Sequence, residues 1–223
     1  MADPAAALAR GAAELGVALD AAQRERLLKL AAELLRWNKA YNLTAITDPA
    51  AVLTHHLLDS LAVAADLHGA TVADVGTGAG FPGLPLAIVQ PQRQFTLIDT
   101  VDKKLRFIDH VVRELGLGNV KTRHARVETL RTGAGADFDL PFDTVIARAF
   151  APLPKMLQLV APLCGPHTRV LAMVGRWPPA DAAQAVIPPQ WHLVSERPIE
   201  VPGLGAERHI LCLMHSPNTS AGR

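Results

Sequence analysis

The chain predicts an α/β fold: an open, mostly parallel sheet covered by helices on both faces, with a helical extension ahead of it. Three observations carry that reading. Residues 71–75 form a short apolar run that breaks into Gly76, Gly78, Gly80 and Gly83 ahead of a helix-compatible segment at 84–89, the strand, tight turn and helix order of a nucleotide-binding crossover. From there strand-like and helix-like runs alternate through residue 174. Two last strand-like runs, 191–201 and 208–214, flank Pro202-Gly203-Leu204-Gly205-Ala206 and so pair antiparallel. Together they make seven strands with one antiparallel member, and sheets of this kind bind ligands beyond the C-terminal ends of their strands.

Each element has its own local cause. Asp3 before Pro4 is a cap with a first-turn proline, and Gly16 closes that first helix. Asp20 and Gln23 form a capping pair for a second helix, where Leu27, Leu30, Ala31, Leu34 and Trp37 share one face and Arg24, Glu25, Lys29, Glu33 and Arg36 the other. A mixed-sign polar face fits a helix that packs on a main domain better than one that lies on a membrane. Asp48-Pro49 starts a third helix running through Leu61; its His55 and Asp59, at i and i+4, permit a metal site but have no third ligand nearby. After the glycine turn come a strand at 95–99, an amphipathic helix at 103–115 stopped by Gly116, and strands at 119–123, 142–147 and 169–174, with 132–136 read as a mobile loop. The expected organisation is a helical extension over 1–68, a main domain over 69–215 and a disordered tail over 216–223.

Bulk properties narrow the function classes. With 223 residues, 49% hydrophobic and 19% charged, the chain suits one main domain. Lys and Arg total 22 against 21 Asp and Glu, so any nucleic-acid face has to be a local one. Cys164 and Cys212 lack metal-ligand or redox spacing and read as packed thiols of a reducing compartment. The alanine-rich N-terminus is interrupted by Asp3, Pro4, Arg10 and Glu14, and no apolar run approaches spanning length. A soluble, cytoplasmic protein with no membrane partner is expected.

The glycine turn fits two ligand classes. Gly78 to Gly83 matches the dinucleotide pattern G-x-G-x-x-G, while Asp74 to Gly80 matches acid-x-G-x-G-x-G, the S-adenosylmethionine pattern. A carboxylate at Asp74 repels a pyrophosphate and suits a ligand carrying an ammonium and a sulfonium, so charge favours the second. Asp99 ends the next strand, where it can accept both ribose hydroxyls of either ligand. The single tyrosine, Tyr41, lies upstream of the turn, so the Tyr and Lys pair of many single-domain dehydrogenases cannot be built downstream. Val127 and Glu128 fall where an adenine ring would lie, although Glu128 also reads as a cap. Arg148 and Phe150 follow the fourth strand, where transferred groups meet substrate, although Arg148 also reads as a structural ion-pair partner.

Four motifs in order, Trp37-Asn38-Lys39-Ala40-Tyr41-Asn42-Leu43-Thr44-Ala45-Ile46, His56-Leu57-Leu58-Asp59-Ser60-Leu61, Asp74 through Gly83 and Ala147-Arg148-Ala149-Phe150, resemble the bacterial RsmG (GidB) methyltransferases over nearly the whole chain. The resemblance implies a class I S-adenosylmethionine-dependent methyltransferase fold with a helical N-terminal extension. It also implies methyl transfer to N7 of a guanine in 16S ribosomal RNA, in the small ribosomal subunit, by a monomer. Its cofactor residues carry over by motif as Gly76, Phe81, Val127, Glu128 and Arg148; Gly78 and Asp99 join them from the turn and the strand end. One departure stands out: the family usually has a lysine before the glycine that ends the fifth strand, and here that position is Val174, with Arg176 as a nearby cation.

Such a reaction agrees with what is missing. Guanine N7 carries a lone pair and no proton, so its methylation needs positioning and no general base. Adenine N6 methylation would call for Asn or Asp before Pro-Pro-aromatic after the fourth strand, and cytosine C5 methylation for a cysteine nucleophile. A methyltransferase acting on a small molecule or protein, and a catalytically silent RNA-binding assembly factor, are the alternatives.

Overall fold

A computed structural model describes residues 3–178 and 186–216. Its centre is a seven-stranded sheet built from β1 (Thr71–Val75), β2 (Gln94–Asp99), β3 (Val120–His124), β4 (Phe142–Arg148), β5 (Cys164–Val174), β6 (Trp191–Ile199) and β7 (Arg208–His215). The strand order is β3-β2-β1-β4-β5-β7-β6. β1 to β5 are parallel, and β7 runs antiparallel to both β5 and β6. One antiparallel strand of seven is the predicted arrangement. The order reverses at β1, whose neighbours are β2 and β4, so a crevice opens above its C-terminal end, where the glycine turn lies.

The helices are α1 (Pro4–Glu14), α2 (Ala21–Tyr41), α3 (Pro49–Val52), α4 (Asp59–Leu61), α5 (Gly83–Val89), α6 (Asp102–Leu115) and α7 (Leu153–Val160). The Asp3 side chain caps α1, and Asp20 with Gln23 closes a full capping box on α2. Leu27, Leu30 and Leu34 of α2 are buried in the same cluster as Leu84, Leu86 and Phe107, so the N-terminal helices share one continuous core with α5 and α6. The opposite face of the sheet is covered by α7, whose Leu153, Met156, Leu157 and Val160 bury against Val145, Val170 and Leu213.

The third helix departs from its predicted regularity. Between α3 and α4 the backbone widens into a π-helical stretch, Leu53–Leu58, which shifts each following side chain around the axis relative to an α-helix. His56 and Asp59 thereby come to lie buried, at 9% and 2% exposure. β5 also starts earlier than predicted, at Cys164, because Thr168 Oγ1 accepts from Gly165 N and donates to Phe142 O, holding a polar stretch against β4. Loop 132–136 is closed by a bridge from Thr132 to Phe138 and held by an ion pair between Arg123 and Asp137. Of the tail expected to be disordered, Ser216 donates its amide to Gln190 O and the remainder lies outside the described residues. Among the described residues no helix is long and apolar enough to cross a membrane.

Candidate functional site

The turn after β1 leans on β2. Gly76 N and Thr77 N both donate to Ile98 O, at 2.9 and 3.1 Å, while Gly76, Gly78 and Gly80 take φ of +68°, +62° and +89°, where a side chain is strained. At Gly76 there is no room either: a Cβ would lie 2.3 Å from Phe150 Cδ2. Gly78 N donates to Asp99 Oδ2 at 2.8 Å and Val101 N to Asp99 Oδ1 at 2.9 Å. Each oxygen of that carboxylate keeps a further lone pair, so two amides fix its orientation without exhausting it as an acceptor.

A cavity of about 480 Å³ opens above these groups, lined among others by Gly76, Asp99, Lys104, Val127, Glu128 and Phe150. Four of the seven sequence-predicted residues thus meet on one wall, arriving from the β1, β2 and β3 strand ends. Glu128 is half-exposed and stands 3.8 Å from Arg126; it does not cap a helix. A larger concavity, about 880 Å³, lies along the β6–β7 hairpin and gathers none of the seven.

The other three stand differently. Gly78 faces Asp99 through its amide and is not on the cavity wall. The Phe81 ring is buried and stacks on His56, with centroids 4.6 Å apart, so it braces the turn from the N-terminal side. Arg148 donates from Nη1 to Asp59 Oδ2 at 2.7 Å and to His55 O at 3.0 Å. The second Asp59 oxygen accepts from Arg208 Nε at 2.9 Å. Of the two readings open for Arg148, the ion pair is the one seen, and only Nη1 is engaged among the described residues. Both Asp59 oxygens are taken by arginines, and His55 contributes its backbone carbonyl to Arg148, so the i, i+4 pair forms no ligand set.

Asp74 also takes a role other than the one its charge suggested. It lies fully buried beneath the turn, where Oδ2 accepts from Thr77 Oγ1 at 2.6 Å and Gly83 N at 2.8 Å. It therefore staples the turn to the start of α5. Burial pushes its carboxyl up to about 6, against the pull of Thr77, Gly83 and Arg148, and Oδ1 has no partner among the described residues.

Sequence reading missed His56 and Lys104, and it considered Asp59 only as a metal partner of His55, not as the partner of two arginines. Thr44 Oγ1 accepts from Ile46 N and lies 3.0 Å from His56 Nε2, while Nδ1 of the buried ring has no partner among the described residues. Burial, with Arg148 nearby, lowers the His56 pKa to about 4, so the ring is neutral at pH 7. The signal for His56 and Asp59 was their place in the His56 to Leu61 motif, without any local pattern naming their partners. Lys104, on the first turn of α6, reads as a solvated helix position. Arg176, offered as the cation beside Val174, is exposed and 3.7 Å from Glu207, on the hairpin side of the sheet. Cys164 donates to Val160 O, and burial pushes its thiol up to about 12.

Comparison with known proteins accords with this geometry. The model of the family described as GidB, rRNA small subunit methyltransferase G, matches residues 23–211. A ribosomal RNA small subunit methyltransferase G of Methylococcus capsulatus is 46% identical over 91% of this chain and 95% of its own length. Its counterpart in Chromohalobacter salexigens is 47% identical over 93% and 96%. A SAM-dependent methyltransferase structure from Aquifex aeolicus superposes with a TM-score of 0.52 at 19% identity, over 75% of this chain and 94% of that one, which speaks to the fold alone.

Proposed function

The chain belongs to the rRNA small subunit methyltransferase G family, and from that premise we propose that it transfers a methyl group from S-adenosylmethionine to N7 of a guanine in 16S ribosomal RNA. The observation that carries the reading is the meeting of Gly76, Asp99, Val127 and Glu128 on one cavity at the strand ends. Those residues fit the cofactor. Asp99 offers its spare lone pairs to a ribose diol, Val127 and Glu128 flank the place of an adenine ring, and Gly76 and Gly78 leave the backbone bare for close approach. Phe81 acts by holding the turn's shape through His56, and Arg148 through its unengaged guanidinium nitrogens. Bound there, S-adenosylmethionine supplies an electrophilic methyl on a sulfonium.

The rest of the work falls to positioning. Guanine N7 presents a lone pair without a proton, so the chain has to orient the base in line and exclude water, and needs no residue to take a proton. Ala147-Arg148-Ala149-Phe150 at the end of β4 suits that role, since Ala149 turns the chain with φ +50° and the Phe150 ring on the cavity wall offers a face for a base. Cys164, protonated and buried, is unsuited to attack a pyrimidine ring. The extension at 1–68 braces the site through His56 against Phe81 and Asp59 against Arg148, the domain at 69–215 carries the cofactor, and the protein works as a cytoplasmic monomer on the small subunit.

The test is transfer of label from S-adenosylmethionine into small ribosomal subunits, with deproteinised ribosomal RNA, total protein and a small-molecule extract as parallel acceptors. Label recovered as 7-methylguanine from 16S ribosomal RNA is the expected result. Label in protein or small molecules, or at another base atom, overturns the proposal.

A further inference from the structure

The tip of α2 carries features that neither the core nor the cofactor cavity uses. Tyr41 is 46% exposed, and it is the one aromatic among the large hydrophobic side chains exposed in the described residues. It is not loose. Its ring packs at a tilt against Trp37, centroids 5.1 Å apart, and Trp37 in turn packs on His110 at 5.0 Å and Phe107 at 5.7 Å, a ladder running from the core to the surface. An exposed aromatic ring held in place by such a ladder offers a flat face at little entropic cost.

Two lysines stand at the same helix tip as that ring. Lys103 Nζ donates to Tyr41 O at 2.8 Å and keeps two further donors, and Lys39, exposed on the same last turn of α2, has no ion-pair partner among the described residues. The nearby acids are engaged: Glu33 with Arg36 and His110, Asp102 with Arg106, and Asp48 in capping α3. Asn42 follows in the left-handed region at φ +48°, its exposed amide unused among the described residues. Alongside runs a groove of about 590 Å³ lined by polar residues, Asn38, Lys39, Asn42 and Thr44 among them, and by the apolar Leu35 and Pro49. The patch also adjoins the candidate site. Lys103 precedes Lys104 of the cavity wall, and Thr44 reaches His56, which stacks on Phe81 of the turn.

We propose that this tip is an RNA-docking surface, on which Tyr41 stacks against an unpaired base beside the target guanine while Lys39 and Lys103 take the adjoining phosphates; it rests on the function proposed above. A fixed aromatic face flanked by lysines is the arrangement that binds single-stranded RNA without reading its sequence. An all-apolar protein partner would leave the two ammonium groups without counter-charge.

The test uses the full chain and deproteinised 16S ribosomal RNA, with S-adenosylhomocysteine binding as the control for a folded cofactor site. Tyr41→Ala is expected to weaken RNA binding about tenfold and Tyr41→Phe less than about twofold. Lys39→Gln should lower the salt slope of binding by about one. All three should bind S-adenosylhomocysteine as the parent does. In intact subunits, p-benzoylphenylalanine incorporated at Tyr41 should crosslink to ribosomal RNA. RNA affinity unchanged in Tyr41→Ala overturns the surface, as does a crosslink to a ribosomal protein or to a second copy of the chain. A parent protein that labels no ribosomal RNA overturns the function beneath it, a separate result from the same preparations.

Discussion

Two regions meet above the C-terminal end of β1, and they are built on opposite principles. The glycine turn is made of backbone: bare Cα atoms, amides aimed at Ile98 O and Asp99, and a buried Asp74 reached within nine residues. The junction beside it is made of side chains brought from afar. Asp59 joins Arg148 and Arg208 across separations of 89 and 149 residues, and His56 links Thr44 to the Phe81 ring. A region of the first kind is held by main-chain bonds and is broken by a side chain added at Gly76; a region of the second kind depends on every partner side chain being present. Mutations should therefore separate them, the first losing ligand affinity and the second losing stability.

The sharpest break is Gly76→Asp. The new side chain would face a φ of +68° and a Cβ 2.3 Å from Phe150, and its charge would face Asp99 across the cavity. S-adenosylhomocysteine affinity is expected to fall at least about a hundredfold, near 3 kcal/mol, measured by calorimetry. Affinity within about threefold of the parent would remove Gly76 from the proposed cofactor wall.

Asp59→Ala attacks the junction. It strips two partly buried guanidinium groups of their shared carboxylate, and losing one member of a buried charge cluster costs about 3 kcal/mol. Urea unfolding should show that loss, while S-adenosylhomocysteine affinity in the folded protein changes less than in Gly76→Asp. Asp59→Asn, which still accepts from one arginine, should recover part of the stability. Equal stability of Asp59→Ala and parent would mean the cluster is only a surface ion pair.

The same contrast explains what was legible in the sequence. The turn, Asp99, Val127 and Glu128 could be placed because a glycine pattern between a strand and a helix fixes local backbone, and strand alternation then fixes which ends share an edge. The capping residues Asp3, Asp20 and Asp48 were legible for the same local reason. The Asp59 cluster was not, since no short-range pattern says that a carboxylate on the third helix will meet arginines on β4 and β7. The π-helical stretch that aims it there leaves no composition signal. Asp74 misled because its charge was weighed against a ligand, whereas its donors of first resort were Thr77 and Gly83, three and nine residues on. Phe81 and Arg148 were placed by motif, and the structure adds that each faces the junction first.

The finest test concerns pH, because each region buries a titratable group whose pKa is strongly shifted, His56 in the junction and Asp74 under the turn, and the two respond in opposite senses. His56 has a pKa of about 4 when folded against 6.5 as its ordinary value, so the unfolded chain binds more protons in that interval and stability falls as pH drops from 6.5 to 4. Asp74 has a pKa of about 6 when folded against 3.8, so the folded chain binds more protons and stability rises as pH drops from 6 to 4. Each interval corresponds to about 3 kcal/mol, so in the parent the two contributions oppose one another and the junction and the turn mask each other. His56→Gln should unmask Asp74 and gain stability, relative to the parent, on acidification from pH 6.5 to 4. Asp74→Asn should unmask His56 and lose stability over the same interval. Urea unfolding of the three proteins at pH 6.5, 5 and 4 gives the slopes directly. Parallel slopes for both variants would mean that neither group is held as described, whereas slopes diverging to either side of the parent would assign the acid-sensitive element to the junction and the acid-favoured one to the turn.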